Sequence, residues 1–358
     1  MRLPRRRSFP ARLGFAATAL LLSACAEDAP QDTLKPAGEV AQKADELWDL
    51  TFLLAVAVFV IVEGLLVFAL IRFRQRPGRE AKQFHGNTKV EIVLTVVPAL
   101  ILLGLAVPTV RTVIQQAEKP RNALEVTVIA HQFWWEYHYP QLGIVTANEL
   151  HIPTGRDVFV SLEGAAEEPV TGGNEVIHSF WVPRLAGTQD IIPGRTNTMR
   201  LRTDNADTYL GQCKEFCGLG HAFMRLRVIA QEPSDFDAWV AQQREGPAEP
   251  TGPAAEGQQL FQQGAENGQF ADGPACSACH AVDANLVEGG PPEPAAGPNL
   301  THFASRETFA GALLENNAAN LEDWLNDPAE VKPGALMPDL GLTSEQIDAL
   351  VAYLQSLD

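Results

Sequence analysis

The residues best suited to chemistry lie in one short string, Cys213-Lys214-Glu215-Phe216-Cys217-Gly218-Leu219-Gly220-His221-Ala222-Phe223-Met224, with His178 upstream in an apolar run. Two thiolates, two imidazoles and a thioether form a soft donor set suited to copper. Two Cys on one tight loop can each bridge a pair of copper ions. Each ion then takes one His, and Met224 and the Glu215 carbonyl are left as weak outer donors. A shared thiolate pair spreads one electron over both metals, so geometry hardly changes on reduction and transfer is fast. A structural zinc site competes with this reading, because a Cys2His2 set also satisfies tetrahedral zinc. Zinc, however, has no use for a Met three residues past the His, and a mononuclear blue-copper centre needs only one Cys.

A second string, Cys276-Ser277-Ala278-Cys279-His280, is the CxxCH pattern of c-type haem attachment. Each thiol can form a thioether to a haem vinyl group, and His280 is placed to coordinate the iron. A zinc knuckle would need further Cys or His ligands, and downstream only His302 remains. Met337, in the Pro-bounded loop Gly334-Ala335-Leu336-Met337-Pro338, supplies a second axial ligand. A Met/His pair raises the iron's reduction potential, which suits a donor to copper.

These strings need rigid supports. Between Leu124 and Ile229 the runs LEVTVIA, DVFVSLEG, EVIHSFWV, TMRLRT and RLRVIA alternate apolar and polar residues between Gly, Pro and Asn turns. That pattern predicts a small antiparallel β-sandwich or barrel holding its loop ligands at one end. The stretch EGPAEPTGPA at 245–254 carries no apolar period and reads as an extended linker. Beyond it, a helix near Gly257 to Gln263, the haem string and a final amphipathic helix capped by Thr343 or Ser344 predict an all-α module.

The other end of the chain is built for a membrane. Arg2, Arg5, Arg6, Arg7 and Arg12 precede a short apolar run that ends Leu22-Ser23-Ala24-Cys25, an export signal with a lipobox in which Cys25 would be lipidated. Two long apolar segments follow, each close to the length that crosses a bilayer, with the basic loop Arg72 to Arg79 between them. The positive-inside rule puts that loop in the cytoplasm and both ends of the hairpin outside. The resulting plan is a signal peptide at 1–24, an outer tail at 25–46, transmembrane helices at 47–72 and 90–112 joined by a cytoplasmic loop at 73–89, a β domain at 120–243, a linker at 244–254 and a haem domain at 255–358.

Charge is uneven: the chain carries a formal net charge of -17, and residues 254–358 hold sixteen Asp and Glu against only Arg306 and Lys332. Such a module attracts a basic protein and repels nucleic acid. Neither span contains the His residues that a haem-copper oxygen site would need.

CKEFCGLGHAFM matches the CxExCxxxHxxM signature of the binuclear copper (CuA) domain of cytochrome c oxidase subunit II, and the resemblance covers about residues 40 to 240. The haem string, Pro298 in GPNL, Met337 and the last helix resemble a class I cytochrome c over about residues 254 to 358. Oxidases with this fusion are the caa type. The resemblance implies a multidomain membrane protein: a two-helix hairpin, a cupredoxin-like β-barrel, then a cytochrome c domain. It assigns His178, Cys213, Glu215, Cys217, His221 and Met224 to CuA, and because all six positions are filled it disfavours quinol oxidases that lack this copper. It also assigns the Glu215 side chain to a magnesium ion at the interface with subunit I. Phe133, Trp134 and Trp135 fall in the aromatic stretch that carries electrons in from cytochrome c, with Phe133 where the family usually has Trp; an aromatic-rich strand is often only core, and Trp134 and Tyr137 read as core. Glu91 falls at the mouth of a proton path, although a carboxylate favoured by a helix N-terminus explains it equally well.

The implied complex lies in the bacterial inner membrane, with copper and haem domains on the periplasmic side and subunits I and III as neighbours. Its donor would be a basic cytochrome c or quinol-cytochrome c reductase, and it would reduce oxygen to water with proton translocation. Two other readings use the same residues: a free membrane-tethered cupredoxin-cytochrome carrier for another reductase, and a copper-delivery protein.

Overall fold

The computed structural model describes residues 29–75, 77–78, 85–165, 176–265, 269–282 and 297–358. The export signal and Cys25 lie outside the described residues. Two long helices come first, α1 (Glu39–Arg72) and α2 (Thr88–Ala117), and each contains an 18-residue window apolar enough to cross a membrane, with mean hydropathies of 2.9 and 2.6. Neither window is buried within the chain, so these faces are left for lipid or for another subunit. The Asn87 side chain caps α2 by accepting from the backbone N–H groups of Lys89 and Val90, and Glu91 stands in its first turn.

The start of α1 departs from the expected outer tail, because the helix begins at Glu39 and its first turn belongs to the β domain. Ala37 and Gly38 donate backbone hydrogen bonds to the Arg184 carbonyl at 2.7 and 2.9 Å, and Gly38 bridges to Thr203. Glu39 receives Arg200 at 3.0 Å, while Val40 and Ala41 are buried. Hydropathy reports only the part of a helix that lipid must cover, so this polar, docked turn leaves no signal in an apolar-run search.

Among the described residues, ten strands build the next domain: β1 (Leu124–His131), β2 (Trp134–Tyr139), β3 (Ile144–Ala147), β4 (Glu149–Pro153), β5 (Val158–Gly164), β6 (His178–Trp181), β7 (Thr188–Ile191), β8 (Asn197–Leu201), β9 (Asp207–Cys213) and β10 (Arg225–Gln231). They form two five-stranded sheets, ordered β3-β2-β1-β5-β8 and β4-β10-β9-β6-β7. Most neighbours are antiparallel as expected, but β1 pairs with β5 and β4 with β10 in parallel, so the sheets are mixed. Alternation along a strand looks the same in either sense, which is why the pattern could not separate them. Trp135, Tyr137, Tyr139, Phe180 and Tyr209 fill the core. Helix α3 (Pro233–Gln243) closes the domain with Phe236, Trp239 and Val240 buried.

The last domain packs α4 (Pro253–Gln263), α5 (Ala318–Asn326), α6 (Pro328–Val331) and α7 (Ser344–Leu354) around a second core. It also contains two minimal hairpins, β11 (Gln269–Phe270) with β12 (Gly273–Pro274) and β13 (Thr308–Phe309) with β14 (Leu314–Glu315). Strands of two residues carry no readable period, so the sequence presents this module as wholly helical. Thr343 caps α7 in a reciprocal box with Gln346.

Helices α4 and α7 cross at Gly257, where a Cβ would collide with the Ala349 carbonyl and sit 2.7 Å from Cβ of Tyr353. Gly257→Val is therefore expected to lower the stability of this domain by about 1–3 kcal/mol through overpacking. Thermal melting with limited proteolysis of the domain checks this; an unchanged midpoint would contradict it.

Candidate copper and haem centres

Strand β9 ends at Cys213, and the chain turns through Glu215 to Cys217, His221 and Met224 before β10 begins. His178 opens β6, the neighbour of β9, so two adjacent strands and one loop bring the donors together. The two sulfurs lie 3.9 Å apart, with His178 Nδ1 3.8 Å from Cys213 Sγ and His221 Nδ1 3.7 Å from Cys217 Sγ. Met224 Sδ is 3.9 Å from Cys217 Sγ, and the Glu215 carbonyl lies 3.2 Å from Cys213 Sγ. Both thiols are free and buried. The hydrogen bond between the two sulfurs pushes the Cys213 thiol down and the Cys217 thiol up. His178, Cys213 and Cys217 offer donor atoms within 4.8 Å of one another. The Glu215 residue is exposed, leaving its carboxylate for a partner outside the chain.

Strand β2 runs behind this loop with its alternate residues on opposite faces. Trp135 and Tyr137 point into the core, Trp135 edge-on to His178 at 6.3 Å between ring centroids. Trp134 and Tyr137, both expected in the core, are both buried but lie on opposite faces. Trp134 stacks on His131 at 4.1 Å. On that second face Glu136 accepts from His131 at 2.8 Å and His138 at 2.7 Å, a buried triad that the sequence reading does not single out. A signal for it exists: alternate residues 136 and 138 share a face, and His131 is a diagonal neighbour on β1. Phe133 is buried against the copper loop, where a Cβ on Gly218 would lie 3.0 Å from its ring.

In the last domain Cys276 opens a short 3-10 turn, and the Cys279 and His280 backbone N–H groups donate back to the Cys276 carbonyl at 3.0 and 2.9 Å. Both thiols are free and partly exposed. His280 Nδ1 lies 2.9 Å from the Pro298 carbonyl; that bond uses the Nδ1 proton and leaves Nε2 as the free donor to a metal. Gly297 lies flat against the ring, where a Cβ would fall 2.5 Å from Cε1. Met337 is half-buried against the same core as Cys276. The chemistry of these donors fits a covalently held c-type haem.

The two domains touch. Glu149 of β4 is buried and accepts from Thr308 N and Oγ1 at 2.8 and 2.6 Å and from Glu307 N at 3.2 Å. Burial pushes its carboxyl up, opposed by the Thr308 hydroxyl and by Arg306. Arg227 meets Glu307 at 2.7 Å. Lys332 Nζ is buried between the Phe133 carbonyl at 2.8 Å and the Ala310 carbonyl at 2.9 Å, and burial lowers its pKa to about 7.

A membrane hairpin bearing a cupredoxin-like domain with a paired-thiol loop, followed by a cytochrome c module, defines a class of respiratory electron-transfer subunit. The chain matches "Cytochrome C oxidase subunit II, transmembrane domain" over residues 31–112, "Cytochrome C oxidase subunit II, periplasmic domain" over 124–231 and "Cytochrome c" over 254–358. It is 36% identical over 348 residues to cytochrome c oxidase subunit 2 of Alkalihalophilus pseudofirmus, covering 94% of each chain. It is 38% identical over 364 residues to that of Bacillus sp. (strain PS3), covering 96% of each, and 33% identical over 360 residues to that of Bacillus subtilis, covering 94% of each. The chain belongs to the cytochrome c oxidase subunit II family, in the form that carries a C-terminal cytochrome c domain, and is a subunit of a haem-copper oxidoreductase. Membership implies CuA copper in the periplasmic domain, haem c in the last domain and subunit I as a neighbour.

Burial alone would raise the Glu136 carboxyl, but the hydrogen bonds from His131 and His138 outweigh it and hold the pKa at about 2. A carboxyl depressed in the fold adds stability above its unfolded pKa and loses it as pH falls through its folded value. Wild-type stability should therefore drop between about pH 4.5 and 2 more steeply than that of Glu136→Gln, by a few kcal/mol in total. Denaturant midpoints across that range measure the difference; parallel curves would contradict the assignment.

Proposed function

We propose that this chain passes electrons from an external cytochrome c through a covalent haem c and a binuclear copper centre to subunit I, where oxygen is reduced to water and protons are translocated. The observation that carries this reading is the pair of free sulfurs 3.9 Å apart, flanked on each side by one imidazole nitrogen. When bound, the copper pair supplies one-electron storage with little change of shape. His178, Cys213, Glu215, Cys217, His221 and Met224 hold it, Glu215 by its carbonyl. The exposed Glu215 side chain faces outward as a hard oxygen donor for magnesium at the subunit I interface. Cys276 and Cys279 would anchor the porphyrin, and His280 and Met337 would coordinate its iron.

Electrons come in at the haem domain. Phe133, Trp134 and Trp135 are buried, and the Phe133 carbonyl is taken by Lys332, so this aromatic stretch offers no open dock to a soluble donor. Both cations of the described acidic module, Arg306 and Lys332, are at least half-buried, which leaves an acidic exterior for a basic cytochrome c or a quinol-cytochrome c reductase. Glu91, in the first turn of α2, stands at the cytoplasmic end of the hairpin, where it serves as the mouth of a proton path into subunit I. Subunit III completes the complex in the bacterial inner membrane. Cys25 is the lipid anchor of the mature chain.

Three measurements test this reading. Oxygen-reducing activity should co-purify with the chain from solubilised membranes; activity that separates from it would favour a free carrier. Cys217→Ser should abolish the mixed-valence copper spectrum and donor turnover while leaving the covalent haem band. A copper-delivery protein would instead bind a single copper and show no shared-electron spectrum in the wild type. Turnover with a basic cytochrome c should fall steeply as salt rises from about 0.1 to 1 M, where the screening length shrinks from about 10 to 3 Å; a flat response would contradict charge-steered docking.

A further inference from the structure

Residues 254–358 hold two cations against sixteen carboxylates, and both stand close to the boundary with the copper domain. Arg306 feels the buried Glu149 of the copper domain, and Lys332 donates across the boundary to the Phe133 carbonyl. An ammonium so enclosed costs more than an exposed one unless its protons are matched, and Lys332 has carbonyl partners from both domains, Phe133 on one side and Ala310 on the other. Around it the backbones are in direct contact. Arg225 N, at the start of β10 one residue past Met224, donates to the Gly311 carbonyl at 3.1 Å. Gly311 has φ +79°, and a Cβ there would meet Lys332 Nζ at 2.8 Å and the Phe223 carbonyl at 3.0 Å. Gly334 has φ +89°, and its Cβ would lie 2.6 Å from Gly220 N and 2.9 Å from Leu219, in the copper loop next to His221.

We propose that the segment from Lys332 to Met337, besides bringing the second axial sulfur, is the docking element that seats the haem domain on the copper loop. Lys332 is its positioning residue and Gly334 its point of closest approach. The segment is short: Gly334 rests on Gly220, and Met337 follows three residues later, so the distal haem donor and the copper donor His221 are joined through one backbone-to-backbone contact. With haem and copper bound, the step that this junction would serve is a one-electron transfer from the haem domain to the copper domain, with no bond made or broken. Its rate is set by how closely and how rigidly the two loops are held, and Lys332 and Gly334 fix both. The inference rests on the haem and copper reading given above, but the docking it describes can be measured without either cofactor's activity.

The test uses the full detergent-solubilised oxidase carrying Lys332→Met or Gly334→Ala. Hydrogen exchange should quicken at residues 219–224 and 308–312 in each variant. Flash reduction of the haem should show transfer to copper slowed several-fold relative to wild type. Reduction of the copper centre by a small photoreductant, and the haem and copper spectra, should stay at wild-type values. Wild-type exchange or a wild-type haem-to-copper rate in a variant with intact spectra overturns the proposal. Gly334→Ala keeps it open to refutation if Lys332→Met fails to fold. A wild-type protein without covalent haem or paired copper would instead refute the proposed function, while the exchange measurement would still report on docking.

Discussion

The architecture depends on holding two sulfur atoms of one short loop side by side without bonding them to each other. The Cys213 and Cys217 sulfurs lie 3.9 Å apart, in hydrogen-bond contact and free of a disulfide. Here the loop is clamped at both ends by paired strands: β9 delivers Cys213, β10 leaves directly after Met224, and the two run antiparallel from Arg225 opposite Gln212. His178 reaches the same spot because β6 lies beside β9. The aromatic core of Trp135, Tyr137 and Phe180 supports those strands from within, so the donors are preorganised by packing before any cation arrives.

The second domain is shaped by the first. Its sequence is acidic almost throughout, which would keep it away from another acidic surface, yet at the boundary it presents Lys332 and the backbone N–H groups of Glu307 and Thr308 to the copper domain. The copper domain answers with carbonyl oxygens and the buried Glu149. The junction is mixed in polarity, since Arg227 and the Arg225 N–H of the copper domain also meet Glu307 and the Gly311 carbonyl, while the rest of the module stays negative. One module can then attract a basic donor on its outer side while remaining seated on its own chain. The first turn of α1 plays a related part at the other end, where Glu39 and Arg200 tie the membrane hairpin to the sheet.

Most of the site was legible because its chemistry is local in sequence. The copper loop and the haem string each place their donors within a dozen residues, and the Thr343 cap follows from a four-residue pattern. What was not legible is long-range. Parallel and antiparallel strands share one alternation, so the pairing of β1 with β5 could not be read. The docked start of α1 is polar and therefore invisible to hydropathy. The cover over Phe133 was not readable either, because nothing local says that Lys332, 199 positions later, will take its carbonyl. A signal did exist there, since an isolated Lys in a strongly acidic module needs a partner, but only the fold names that partner.

The central claim is that one polypeptide carries both a covalent haem and a coupled copper pair. It is tested most directly by a metal analysis of the purified wild-type protein combined with its paramagnetic spectrum. The account predicts two copper ions for each porphyrin bound by this chain and an unpaired electron shared equally between two copper nuclei. A single zinc in place of the copper pair, or a porphyrin that organic solvent extracts freely, would contradict it.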